Sequence, residues 1–168
     1  DEVVRAEIRR AAAQRQTTLT ARELPNFGQV TKAEKGLIWL LLHQPQSALA
    51  ALDALDDGDL DGLPARSVLD LARQLNENSG FSPSIFLERL SSVDSQLVTA
   101  IASEREAHVT DADGCARIIK RLRCEREHTA IQREIDRLQE LGAAQHGARI
   151  DALWARKKDL LQRIEGLI

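Results

Sequence analysis

Three groupings of side chains have the types and spacings of ligating or reactive sites. Asp57-Gly58-Asp59-Leu60-Asp61-Gly62 puts carboxylates at alternate positions among glycines. That is the opening of an EF-hand calcium loop, where they converge on a hard cation. The twelfth position, which should carry a bidentate Glu, is Val68, and Pro64 interrupts the loop. The run is therefore read as an acidic, Gly-rich turn ahead of a Pro-initiated helix. Cys124 and His128, four apart, share a helix face and suit a metal or a thiol–imidazole pair. No second pair lies near enough to complete four ligands, and there is no Cys-x-x-Cys. His43 at a helix end and His146 in a turn are ordinary places for imidazole, and His108 falls in a loop with no evident partner. Gly-rich phosphate loops, Gly-x-Ser-x-Gly and strand-borne Asp-x-Asp are missing from the sequence. The expectation is a binding module with no catalytic residue, metal or cofactor of its own.

The elements that would position these groups are helical. The chain has 168 residues, 43% hydrophobic and 29% charged, with 3% aromatic and neither Tyr nor Met. Ala, Leu, Arg and Glu dominate over β-branched and aromatic residues, which predicts an all-α fold. No initiator Met opens the chain, so a piece of a larger protein is expected. Cys115 and Cys124 lie nine apart on one helix, half a turn out of phase and about 13 Å apart along the axis, too far to pair. Reduced thiols are expected.

Residues 1–16 carry Val4, Ile8 and Ala11 or Ala12 at helical spacing, and TTLTARELPNFGQ follows as a linker. Thr31 and Glu34 have the spacing of a capping box, so a helix starts at about residue 32. It holds Leu37-Ile38-Trp39-Leu40-Leu41-Leu42, far short of the roughly 20 apolar residues that span a bilayer. Its all-round apolar surface marks the centre of a bundle, and Pro45 turns the chain into the next helix. That helix holds Ala48, Leu49, Leu52 and Leu55. Pro64 opens another with Val68, Leu71, Ala72 and Leu75 inward. Pro83 opens a short one with Ile85, Phe86 and Leu90, and a further one spans about Val93 to Ser103 with Leu97, Val98 and Ile101 inward. Short loops between these elements predict a compact bundle.

The last third differs in kind. Asp111 and Asp113 cap a helix without Pro or interior Gly from Cys115 to Leu141, about 40 Å if unbroken. Ile118, Ile119 and Leu122 form one apolar group, and Ile131, Ile135, Leu138 and Leu141 another. Arg123 to His128 between them is polar, as in a helix bridging two packed regions. Gly142 and Gly147 flank a turn, and a final helix carries Ile150, Leu153, Trp154, Leu160, Leu161, Ile164, Leu167 and Ile168. The spacing predicts a protruding antiparallel helical hairpin. Two arms bury one seam, so Trp154, Leu161 and Ile168 are surplus apolar area suited to a partner.

Residues 46–110 hold 4 Lys or Arg against 11 Asp or Glu, a net of −7, whereas residues 111–168 hold 12 against 10, a net of +2. No segment has the basic excess that duplex binding by charge neutralisation requires. Neither a membrane nor strong direct nucleic-acid binding is expected.

The apolar run ending in His43-Gln44-Pro45, the acidic turn, Phe86-Leu87-Glu88-Arg89-Leu90 and Leu153-Trp154-Ala155-Arg156-Lys157-Lys158-Asp159-Leu160 on the terminal hairpin occur in a familiar order. Over residues 31–168 the chain resembles the C-terminal helicase-binding domain of bacterial DNA primase. Residues 1–16 are similar to the end of that enzyme's RNA polymerase domain. The resemblance implies three parts: residues 1–30 as polymerase-domain end plus linker, 31–122 as the bundle, and 123–168 as the hairpin. It implies a bacterial cytoplasmic module at the replication fork that docks its hairpin on the N-terminal domain of the replicative DNA helicase and modulates that helicase. Zinc and magnesium would belong to parts of the parent primase that this chain lacks.

On the hairpin the resemblance points to Arg137, Leu141, Trp154, Lys158, Leu161 and Ile168 as the helicase-binding residues, with Trp154 the anchor and Arg137 and Lys158 orienting the docking. The competing role for Trp154 is to fill the seam between the arms. On the bundle it implies a pocket of Lys35, Ile38 and Arg89 for the acidic C-terminal tail of single-stranded DNA-binding protein, although Ala33 and Glu34 depart from a fully basic pattern. Two other readings differ in class. A nucleic-acid-binding domain using the Arg-rich helix would bind DNA with a steep salt dependence. A self-associating helical scaffold would pair through the hairpin.

Overall fold

The computed structural model describes residues 3–8, 27–104 and 111–168. Ala11, Ala12, most of the expected linker and His108 lie outside them. Residues 3–8 are helical (α1), and a 3-10 turn spans Phe27–Gln29. The other helices are α2 (Lys32–His43), α3 (Pro45–Asp53), α4 (Asp57–Leu60), α5 (Arg66–Asn78), α6 (Pro83–Arg89), α7 (Ser92–Ser103) and α8 (Ala112–Gly166). The described residues contain no strand. The fold is all-α. Its contacts divide into two compact units, Asp1–Ala116 and Arg117–Ile168. The division falls inside α8, ahead of the 122/123 boundary expected from the sequence.

In the first unit α2 begins where its capping box places it. Glu34 N–H donates to Thr31 Oγ1 at 3.2 Å, and Thr31 N–H donates to Glu34 Oε2 at 2.8 Å. Leu37, Ile38 and Leu41 are wholly buried, Leu40 and Leu42 nearly so, and α2 packs chiefly on α3 and α7. Each such side chain contributes about 1.5–3 kcal/mol of burial, which offsets the poor amphipathicity of the helix. Its wetter face is the line Lys32, Lys35, Trp39 and His43, where the Trp39 and His43 rings stack at 3.9 Å. The helix ends with Gln44 N–H donating to Leu40 O, and Pro45 occupies the first turn of α3. α1 meets the bundle through Ile8, which is buried, and through Ser84 Oγ, which donates to Glu7 Oε1 at 2.7 Å.

Several inward assignments shift. α5 starts at Arg66 and not at Pro64, with Ala65 as a non-helical N-cap residue (φ −93, ψ 13) whose N–H donates to Glu34 Oε1 at 3.1 Å. Leu69 is then wholly buried and Leu71 only half so. In α6 the core residues are Phe86, Leu87 and Leu90, and Ile85 points outward, 39% exposed. Val93 at the start of α7 is also exposed. α6, with seven residues, holds about two turns, too few for spacing to choose between Ile85 and Leu87, and Val93 falls in the first turn of α7.

Gly36 marks the tightest approach in this unit, since a Cβ there would lie 2.8 Å from Cys115 Sγ. Cys115 is wholly buried, so its Sγ has little free space to move into. Gly36→Ala is therefore expected to lower stability by about 1–3 kcal/mol in urea unfolding. Cys115→Ala in the same chain should recover most of that loss. Equal stability of Gly36→Ala and the parent chain would contradict the contact.

The second unit is a reversal of α8 on itself. Gly142 has φ 129 and ψ 96, a left-handed backbone open to glycine, and it separates two helical arms. Arg156 bonds Glu127, Lys157 bonds Gln132, and Arg149 Nη2 donates to Glu134 Oε1 at 3.2 Å. On one continuous helix residues 127 and 156 would stand about 43 Å apart. From the first of these pairs to the last the first-arm residue advances from 127 to 134 while its partner recedes from 156 to 149, so the arms are antiparallel. The turn expected across Gly142 to Gly147 is confined to Gly142, and Gly147 lies within the second arm. Ile131, Ile135, Leu138, Ile150 and Leu160 fill the seam, with Cys124 and Leu153 against them. Leu141, expected to join that apolar group, is 61% exposed. The polar stretch Arg123 to His128 is no bare bridge, because Cys124 packs on the seam and Glu127 takes Arg156.

Candidate functional site

The second arm presents two apolar faces. One is the seam. The other is the line Trp154, Leu161 and Ile168, exposed by 45%, 44% and 83%. A spacing of seven keeps Trp154 and Leu161 on one side of the helix, with a drift of about 20°, and Ile168 lies two residues past the helix end at Gly166. The seam is complete without Trp154, whose ring instead lies 4.6 Å from Lys157 Nζ. Lys157 also bonds Gln132 of the first arm, so one ammonium ties the indole to both arms. Lys158 is exposed beside this line. The sequence reading passed over Lys157 in favour of its neighbour; the signal that could have found it is its position three residues from Trp154, on the same face.

Arg137 sits apart from that line. Its Nε and Nη2 donate to the two oxygens of Glu134 at 3.1 and 3.0 Å, and Arg149 shares that carboxylate. The hydrogen bonds from Arg137 hold the Glu134 carboxyl below the usual carboxylate range, and they raise Arg137 in turn. Arg149 is about 140° around the second arm from Trp154. Leu141 is at the hairpin tip, next to Gly142. The structure thus places Trp154, Lys158 and Leu161 along one face, Ile168 just past the helix end, and Arg137 and Leu141 elsewhere on the unit.

The bundle residues implied for an acidic tail are dispersed in environment. Lys35 Nζ pairs with Glu104 at 2.9 Å, partly buried. Ile38 is wholly buried and presents no surface to a ligand, and Arg89 is exposed at the end of α6.

The acidic run is occupied by internal partners. Asp56 N–H donates to Asp59 Oδ2 at 3.0 Å in a capping box that starts α4, Asp57 pairs with Arg73 at 3.0 Å, and Asp61 pairs with Arg66. A cleft of about 400 Å³ lined by Asp57, Arg66, Asp70, Arg73, Gln74 and Glu77 carries the Asp57–Arg73 pair and an Arg66–Asp70 pair. Among the described residues, no group of three or more His, Cys, Asp or Glu could hold a metal ion, and no helix is long and apolar enough to cross a membrane. No disulfide joins Cys115 and Cys124.

No family model, curated protein or solved structure matches the chain.

Proposed function

We propose that this chain is the helicase-binding module of a bacterial DNA primase, a cytoplasmic adaptor that brings primer synthesis to the replicative helicase at the fork and modulates that helicase. One observation carries the reading: the hairpin closes its own seam and still leaves Trp154 45% exposed in line with Leu161. A large aromatic that its own fold does not need is suited to anchor a partner. Lys158 would steer docking, and Leu141, Ile168 and Arg137 would extend the contact at the tip, the far end and the first arm. Zinc and magnesium chemistry would belong to other parts of the parent enzyme. The acidic tail of single-stranded DNA-binding protein would compete with Glu104 for Lys35, and Arg89, exposed at the end of α6, would be its second cation.

The test is a titration of the chain against the N-terminal domain of a bacterial replicative helicase. Trp154→Ala should weaken binding by at least about tenfold while circular dichroism stays unchanged. Deleting residues 142–168 should abolish it. Full affinity after that deletion would sink the reading.

A further inference from the structure

The exposed face of the second arm is complementary to itself. Trp154 and Leu161 share one face of the second arm and Ile168 lies two residues past its helical end, so an antiparallel copy centred on Leu161 meets Leu161 with Leu161 and brings each Trp154 toward the C-terminal end of the other copy. Lys158 and Glu165 are exposed, both on the flank of this line away from the seam. At 100° per residue they lie about 40° and 20° from Trp154, on the opposite side from Ile150 and Lys157. In an antiparallel helix pair like flanks face each other, so Lys158 of each copy comes opposite Glu165 of the other, within one residue's rise of about 1.5 Å. A parallel pair would set this flank against the seam side and lose both ion pairs.

We propose that the hairpin is a homodimerisation surface that pairs two copies antiparallel, with Leu161 on the two-fold axis and two symmetric Lys158–Glu165 pairs. The arrangement is isologous, the usual form of a closed dimer. From Trp154 to Leu161 the helical stripe spans only about 10 Å, with Ile168 beyond the helix end. Three apolar residues per copy bury less than the roughly 1,000 Å² of a stable interface, which makes the dimer dissociable. The pairing stands without the helicase reading, and it covers the same tryptophan. A copy in the dimer therefore withholds its anchor from any other partner, and dilution releases it.

The test is sedimentation equilibrium of the full chain from micromolar to millimolar concentration. The parent chain should show a monomer–dimer equilibrium. Lys158→Glu and Glu165→Lys should each weaken it by about tenfold, since either turns two attractions into two repulsions. The chain carrying both substitutions should regain the parent affinity. Leu161→Cys should oxidise readily to a covalent dimer, because each copy meets its own counterpart at that position. A chain that stays monomeric throughout overturns the proposal. So does a dimer indifferent to either reversal, or a double variant no better than the single ones. Helicase titration reads a different complex, so either proposal can fail alone.

Discussion

Glu34→Ala is expected to destabilise the Asp1–Ala116 unit by about 3 kcal/mol, read as a lower urea midpoint with an unchanged slope. The side chain is wholly buried, yet it belongs to the capping box of α2. One carboxylate oxygen accepts from Thr31 N–H and Thr31 Oγ1, both at 2.8 Å; the other accepts from Ala65 N–H at 3.1 Å, at the start of α5. Removing the carboxylate leaves the buried Ala65 N–H and the part-buried Thr31 N–H without their acceptor, at about 1–3 kcal/mol for the first and less for the second. Glu34→Gln keeps one carbonyl oxygen and brings an amide that can donate to Thr31 Oγ1, so its loss should be about half as large. Thr31→Ala removes only the cap oxygen and should cost about 1 kcal/mol. If Glu34→Ala matched Thr31→Ala, the link to Ala65 would contribute nothing.

Glu34 also shows where the sequence stops being legible. Thr31-x-x-Glu34 announces a helix start because its geometry is local. The bond to Ala65 crosses 31 residues and becomes visible only once α5 is in place. The same division runs through the rest of the fold. Ile131, Ile135, Leu138, Ile150 and Leu160 were readable as a seam because spacing of three and four over many turns fixes one face. Ile85 against Leu87 was not, since α6 is only seven residues long. Both Gly142 and Gly147 suit a turn by composition, and only the backbone shows that the first alone makes it. At the candidate surface, the excess of apolar residues over what one seam can bury was legible and named Trp154, Leu161 and Ile168. Two details were not: which of two adjacent lysines covers the indole, and that Ile38, though only three residues from Lys35, is wholly buried.

Ile135→Ala should have the largest effect in the hairpin, about 3 kcal/mol, because it empties a fully buried position in a seam of only five buried residues. A unit this small has little apolar surface to spare, so loss of one seam residue should raise local opening across the whole reversal. Amide hydrogen exchange is the suitable measurement, with faster exchange expected throughout residues 128–160 and not only beside the substitution. The decisive comparison is between two adjacent leucines. Leu160 is 3% exposed and Leu161 is 44% exposed. Leu160→Ala should cost about 2–3 kcal/mol, whereas Leu161→Ala should stay within about 0.5 kcal/mol of the parent chain. That contrast separates residues that hold the hairpin together from residues it keeps available for another surface. If Leu161→Ala destabilised the monomer as much as Leu160→Ala, the exposed line would be part of the seam, and both the docking and the self-pairing readings would lose their footing.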